Sequence, residues 1–258
     1  MIKFGYKTAM IKGLTRDEQL AFAKELGLAE MEVNSGDIAN ENDVAEWRGL
    51  SEKYGVLIKS AGVGMNLCNP VYEGAITNSI KKKAKLAKQL DFRMIFTRTL
   101  SPSIGVPQKD TWKYTIRKVK EFADICEDAG VRFALEIDHG CFIDSMERAL
   151  TLFHYVNQDN LYLNYDPTNI YIGGGDPVLA IAAAKDKIVG GHIKDAIYRT
   201  EYKGETTIGC GEIDYAAIFR ELNRQGTDIT LHYEHLKDKD EVRAAHQYIQ
   251  GIFSSVSK

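Results

Sequence analysis

The chain is poor in cysteine, in excess charge and in long apolar runs. Its cysteines, Cys68, Cys126, Cys141 and Cys210, include no C-x-x-C pair and no cluster with histidine. That spacing argues against a structural zinc site and offers no disulfide framework, so free thiols in a reducing compartment are expected. The formal net charge is −3, so no bulk basic character favours nucleic acid. No apolar run approaches the ~20 residues of a membrane span. Met1 leads straight into a strand-like run with no signal-peptide core. A soluble cytoplasmic protein with neither a membrane nor a nucleic-acid partner is the expectation. Gly173-Gly174-Gly175 lacks the Lys-Ser/Thr of a phosphate loop, and Asp176-Pro177 reads as a helix start. No Ser/His/Asp order stands out, so no covalent nucleophile is proposed.

What is present is alternation. Apolar residues make up 44% of the chain, enough for a real core. Strand-like runs fall at Ile2–Tyr6, Glu30–Val33, Val56–Ser60, Arg93–Thr97, Arg132–Glu136, Leu161–Tyr165, Ile188–His192 and Asp228–Tyr233. Between them lie helical segments at Thr15–Leu26, Asn42–Tyr54, Ile76–Leu90, Thr111–Ala129, Asp144–Val156, Pro177–Lys185 and Tyr215–Gln225, and Asp240–Ile252 closes the chain. Thr15 and Glu18 form a capping-box pattern, and Asp214 is placed to cap the helix at Tyr215. The runs are apolar on both faces, as in a parallel sheet covered by helices. Their starts recur every ~25–40 residues, which suits βα units with short connections. The 258 residues match the roughly 250 of one (β/α)8 barrel. The expected fold class is therefore α/β, a single TIM barrel over residues 1–258, with an open doubly wound sheet as the alternative. The longest loops, Gly62–Ala75, Leu100–Asp110 and Asp195–Asp214, follow strands and belong to the face where barrels keep their sites.

Four apolar runs end on metal-competent side chains: Glu136, Asp166, His192 and Glu234. Each alone is a weak signal, since Asp166 before Pro167 can simply cap a turn. Together, on one face of a barrel, they point to a shared divalent ion. The set is oxygen-rich with one imidazole and no thiolate, which favours Mn2+, with Mg2+ or Co2+ as alternatives. Such an ion polarises a carbonyl and stabilises the enediolate left when a neighbouring proton is removed. Glu136 and Glu234 belong to strands roughly across the barrel mouth and suit the proton-transfer role.

These residues carry a family resemblance. Leu135-Glu136, the run Asn164 to Asn169, His192-Ile193-Lys194-Asp195, Gly209 to Asp214, and Glu234 resemble the xylose-isomerase-like barrels. That family includes sugar isomerases and epimerases, inosose and dehydroshikimate dehydratases, hydroxypyruvate isomerases and abasic-site endonucleases. The resemblance implies Glu136, Asp166, His192 and Glu234 as ligands, and Glu136 and Glu234 as acid/base groups. It also implies a homodimer, by analogy only. The endonuclease branch needs further histidines, but Lys59, Arg98 and Asn169 stand at those positions. Ketose 3-epimerases tend to carry a substrate-binding His where Asn169 stands and an Arg where Tyr198 stands, with Arg199 next to it. A plain ketose 3-epimerase is therefore a poor match.

Lys59, Arg98, His139, Asn169, Lys194 and His232 are the candidate substrate-binding residues around these ends. Lys59 and Arg98 suit a substrate phosphate or carboxylate; ion pairing with Glu32 or Asp138 is the plainer reading. Lys194 either polarises a carbonyl or pairs with Asp195 or Glu32. The expected activity is a metal-dependent isomerase or epimerase of a small sugar or polyhydroxy acid. A dehydratase using His139 or Lys194 as acid is the runner-up. A catalytically silent ligand-binding barrel is the third reading.

Overall fold

Short apolar strands covered on both faces can close on themselves, and here they do. The structure, a computed structural model, describes residues 1–8, 10–199 and 201–256. In chain order the strands are β1 (Ile2–Lys7), β2 (Glu30–Asn34), β3 (Leu57–Gly62), β4 (Met94–Thr97), β5 (Arg132–Glu136), β6 (Leu161–Tyr165) and β7 (Ile188–Ile193), then β8 (Asp195–Tyr198), β9 (Lys203–Thr206) and β10 (Ile229–Tyr233). β8 and β9 form an antiparallel hairpin. The other eight form a closed barrel in the order β1-β10-β7-β6-β5-β4-β3-β2, with every pairing parallel. The expected TIM barrel is the observed fold, and the open sheet is excluded.

The helices are α1 (Arg16–Glu25), α2 (Glu41–Tyr54), α3 (Glu73–Gln89), α4 (Gln108–Asp128), α5 (Met146–Val156), α6 (Pro167–Ile172), α7 (Pro177–Ala184), α8 (Tyr215–Arg224) and α9 (Lys239–Val256). Thr15 and Glu18 make the expected capping box on α1, and the Asp214 side chain accepts from Ala217 N at 2.9 Å to cap α8. No helix among the described residues is long and apolar enough to cross a membrane.

Three features depart from the sequence expectation, the first being α6, a short helix that the sequence reading did not include. The segment Asp195–Asp214 contains the β8–β9 hairpin, with residue 200 outside the described residues. Asp195 organises this segment: its carboxylate accepts from the backbone N–H groups of Gly209, Gly211 and Ile213. Also, β3 runs to Gly62 rather than ending at Ser60. The small residues Ala61 and Gly62 lack the β-branched or aromatic character that marks a strand.

Alternation along the strands sends every second side chain into the barrel. At its lower end Glu30 is buried and accepts from Arg93 Nη2 and Thr230 Oγ1, both at 2.8 Å. Above this, β7 carries two glycines. A Cβ at Gly190 would stand 2.1 Å from Met94 Cε, and one at Gly191 2.4 Å from the Tyr165 carbonyl oxygen. Outside the barrel, Phe4 packs edge-on against Phe219 and Phe253 beneath α8 and α9.

Candidate metal centre

The four strand ends meet. Glu136 ends β5, Asp166 follows β6, His192 lies near the end of β7, and Glu234 follows β10. All four side chains are buried. His192 Nδ1 lies 3.2 Å from Glu136 Oε2, 3.3 Å from Glu234 Oε2 and 3.6 Å from Asp166 Oδ2. Donor atoms of Glu136, Asp166 and His192 all fall within 4.8 Å of one another, and Glu234 joins them through His192. Asp166 also caps a helix: its side chain accepts from Asn169 N at 3.0 Å at the start of α6. The capping reading holds through Oδ1, and Oδ2 faces His192 Nδ1.

A ring of partners fixes these groups. Glu32, fully buried on β2, stands 3.1 Å from His192 Nε2. A proton on Nε2 directed at Glu32 leaves the Nδ1 lone pair for a cation. Glu136 accepts from Asn164 Nδ2 at 2.9 Å and Asn169 Nδ2 at 3.2 Å. Lys7, at the end of β1, pairs with Glu234 and lies 3.6 Å from Glu32. Lys194 lies 2.8 Å from Asp166 Oδ2, 3.1 Å from Glu205 on the hairpin and 3.7 Å from Glu234.

Burial works against charge at His192, Glu234 and Lys194, but the neighbours outweigh it. Burial pulls the His192 pKa down, yet Glu234, Glu136 and Glu32 hold it well above the usual imidazole range. Burial pushes Glu234 up, yet His192, Lys7 and Lys194 hold it well below the usual carboxylate range. Lys194 is raised in the same way: desolvation opposes its charge and Asp166 and Glu234 restore it.

The residues fit a divalent cation. His192 Nδ1 is buried and makes no hydrogen bond, and it faces three carboxylates. The carboxylates Glu32, Glu136, Asp166 and Glu234 outnumber the ammonium groups of Lys7 and Lys194, and Lys194 is shared with Glu205, so the centre suits an added cation. Oxygen donors with one imidazole suit Mn2+, Mg2+ or Co2+.

The other expected site residues divide. Arg98 lines the cavity above the centre but is held by Asp138 at 2.5 Å. Lys194 also lines it, and its partners are Asp166 and Glu205 rather than the expected Asp195 or Glu32. Asn169 is buried and engaged with Glu136 and Lys194. Lys59 is a correction. It lies inside β3, and its ammonium pairs with Asp91 in the turn leading into β4, at the opposite end of the barrel. His139 is a second correction: it is 45% exposed and is not part of the cavity lining. His232 points inward as parity requires, but one layer below the centre. It is 3.8 Å from Glu32, and neither ring nitrogen makes a hydrogen bond. Burial lowers its pKa.

Glu32, Lys7, Asn164 and Glu205 were not anticipated as site residues. Glu32 had little signal, since it lies mid-strand in phase with the polar Glu30 and Asn34. Glu205 had none, since its position depends on the hairpin.

The fold and the centre together define a class, (β/α)8 barrels with a carboxylate–histidine centre at the barrel mouth. Residues 20–252 match the family described as xylose isomerase-like TIM barrel, and the chain belongs to that family. The L-ribulose 3-epimerase of Mesorhizobium japonicum is 29% identical over 134 residues, which is 51% of this chain and 43% of that protein. The match thus spans less than half of that relative. Two solved structures share the fold. One is D-psicose 3-epimerase from Clostridium cellulolyticum H10, solved with D-tagatose (16% identity, TM-score 0.83, covering 97% of this chain and 99% of that one). The other is a probable 3-DHS dehydratase from Bacillus anthracis (18% identity, TM-score 0.82, covering 96% and 98%).

Proposed function

We propose that this protein is a divalent-metal-dependent isomerase or epimerase of a small sugar or sugar derivative, with Mn2+ the preferred ion. One observation carries the reading. Glu136 and Glu234 approach His192 Nδ1 at 3.2 and 3.3 Å from different strands, and both line a cavity of about 250 Å3. Glu136, Asp166, His192 and Glu234 would hold the ion, which supplies Lewis acidity to a substrate carbonyl. The relative from Mesorhizobium japonicum, an epimerase by name, supports the same reading.

The protein's own residues then move the proton. Glu136 and Glu234 come from strands separated by β7 and β6 in the barrel order, so a carbon held between them is approached from two sides. Their settings differ. Glu234 is flanked by the ammonium groups of Lys7 and Lys194, while Glu136 is held by the neutral amides of Asn164 and Asn169. Glu136 and Glu234 together are the proton-transfer pair. Lys194 and Arg98 line the cavity as substrate contacts.

A lyase reading keeps one specific observation in its favour, the Lys194 ammonium in the cavity lining, placed to assist departure of a β-hydroxyl. Its other candidate acid, His139, lies outside the cavity lining.

The test is solvent-deuterium wash-in. The Mn2+-loaded protein should place deuterium on the carbon next to a ketose carbonyl, with product mass otherwise conserved. Glu234→Gln should slow this by about 10²–10⁴ while leaving the fold intact. A fully active Glu234→Gln variant would rule out the role, and a product lighter by one water would favour the lyase.

A further inference from the structure

The cavity above the centre joins a second one of about 530 Å3, and the two share Lys7, Asn34, Glu234 and His235. The second limb runs between the β1–α1 and β10–α9 connections, where Lys12 and Lys237 line it. Its single lining carboxylate among the described residues is Glu234, already paired with Lys7. The cations nearer the centre are likewise committed: Lys194 to Asp166 and Glu205, Arg98 to Asp138. The two lysines of the second limb are not. Lys12 makes no ion pair among the described residues, and Lys237 reaches only Glu241, at 3.8 Å and largely exposed.

This is a local excess of positive charge on a chain whose net charge is −3. Such an excess, facing a cavity continuous with the centre, concentrates anions there. Other lining groups do not compete for an anion. Asn34 Nδ2 donates to Thr8 O at 3.2 Å, and Thr8 Oγ1 donates to Asp37 at 2.6 Å. Met10 and Leu236 supply apolar wall along which a carbon chain can lie.

We infer that this second limb is a subsite for an anionic group, a phosphate ester or a carboxylate, carried on the substrate at the end away from the reacting carbonyl. Lys12 and Lys237 are its recognition residues, acting as point charges on flexible stems. The inference deepens the proposed function and rests on it for what fills the first cavity. It moves anion recognition away from Lys59 and Arg98, both of which are held by aspartates.

The test uses the full chain loaded with Mg2+ and titrated calorimetrically with inorganic phosphate. Saturable binding is expected with a dissociation constant on the order of 1–10 mM, weakened at least about tenfold in the double variant Lys12→Gln/Lys237→Gln. Absence of saturable binding overturns the subsite. So does equal binding in the double variant, which would place phosphate elsewhere. The source is separated by titrating D-ribulose, D-ribulose 5-phosphate and a keto sugar acid. One anionic ligand should bind about tenfold tighter than the neutral ketose, with the gain lost in the double variant. No gain for either anion overturns the inference. Deuterium wash-in by the unmodified protein reports on the isomerase reading separately. Its failure with phosphate binding intact would sink that reading and leave the subsite standing.

Discussion

His192 depends on a residue that is not itself in reach of substrate. Glu32 faces its Nε2 at 3.1 Å and is fully buried, so it sets which ring nitrogen is free. Glu32→Gln should weaken Mn2+ affinity by about 10–100-fold, the usual loss for a partner of a ligating histidine. The readout is the Mn2+ dissociation constant, alongside far-UV circular dichroism to show an unchanged fold. Unchanged affinity would assign Glu32 a packing role only. The four strand-end residues that meet here were legible in the sequence because each ends an apolar run. Glu32 was harder to see because it lies within its strand, and a buried acid inside a strand has no mark until its partner across the barrel is known. Lys59 was misplaced for a related reason. The small residues after it hide the true end of β3, so a lysine serving the barrel floor resembled one at the mouth.

At the scale of elements, β7 brings His192 to the centre and needs its glycines to do so. A methyl at Gly191 would meet the Tyr165 carbonyl oxygen, a backbone atom of β6 that cannot swing aside. Gly191→Ala should therefore cost about 1–3 kcal/mol of stability. Gly49, exposed on α2 with open space around its Cβ position, gives the contrast. Gly49→Ala should add roughly 0.5–1 kcal/mol through helix propensity. Urea unfolding of both variants checks the pair, and equal effects would contradict the steric account. Most helices and strands were readable from apolar period and caps, Thr15 and Asp214 among them; the short α6 was not. The β8–β9 hairpin was not. Its stability comes from Asp195 gathering the N–H groups of Gly209, Gly211 and Ile213, a long-range arrangement that no local pattern announces.

For the whole molecule, closing eight strands into one barrel concentrates their polar ends at a single mouth. The lower end carries a neutralised Arg93–Glu30 pair. The upper end gathers four buried carboxylates against two lysines and one histidine, an arrangement whose desolvation is costly unless the charge is met. A bound dication would meet it. The most direct measurement is metal content by elemental mass spectrometry, on protein purified without chelator and then offered Mn2+. About one ion per chain is predicted, falling to a small fraction in His192→Ala and Glu234→Gln. No retained ion under either condition, or full retention in both variants, would mean that these strand ends do not form the metal centre.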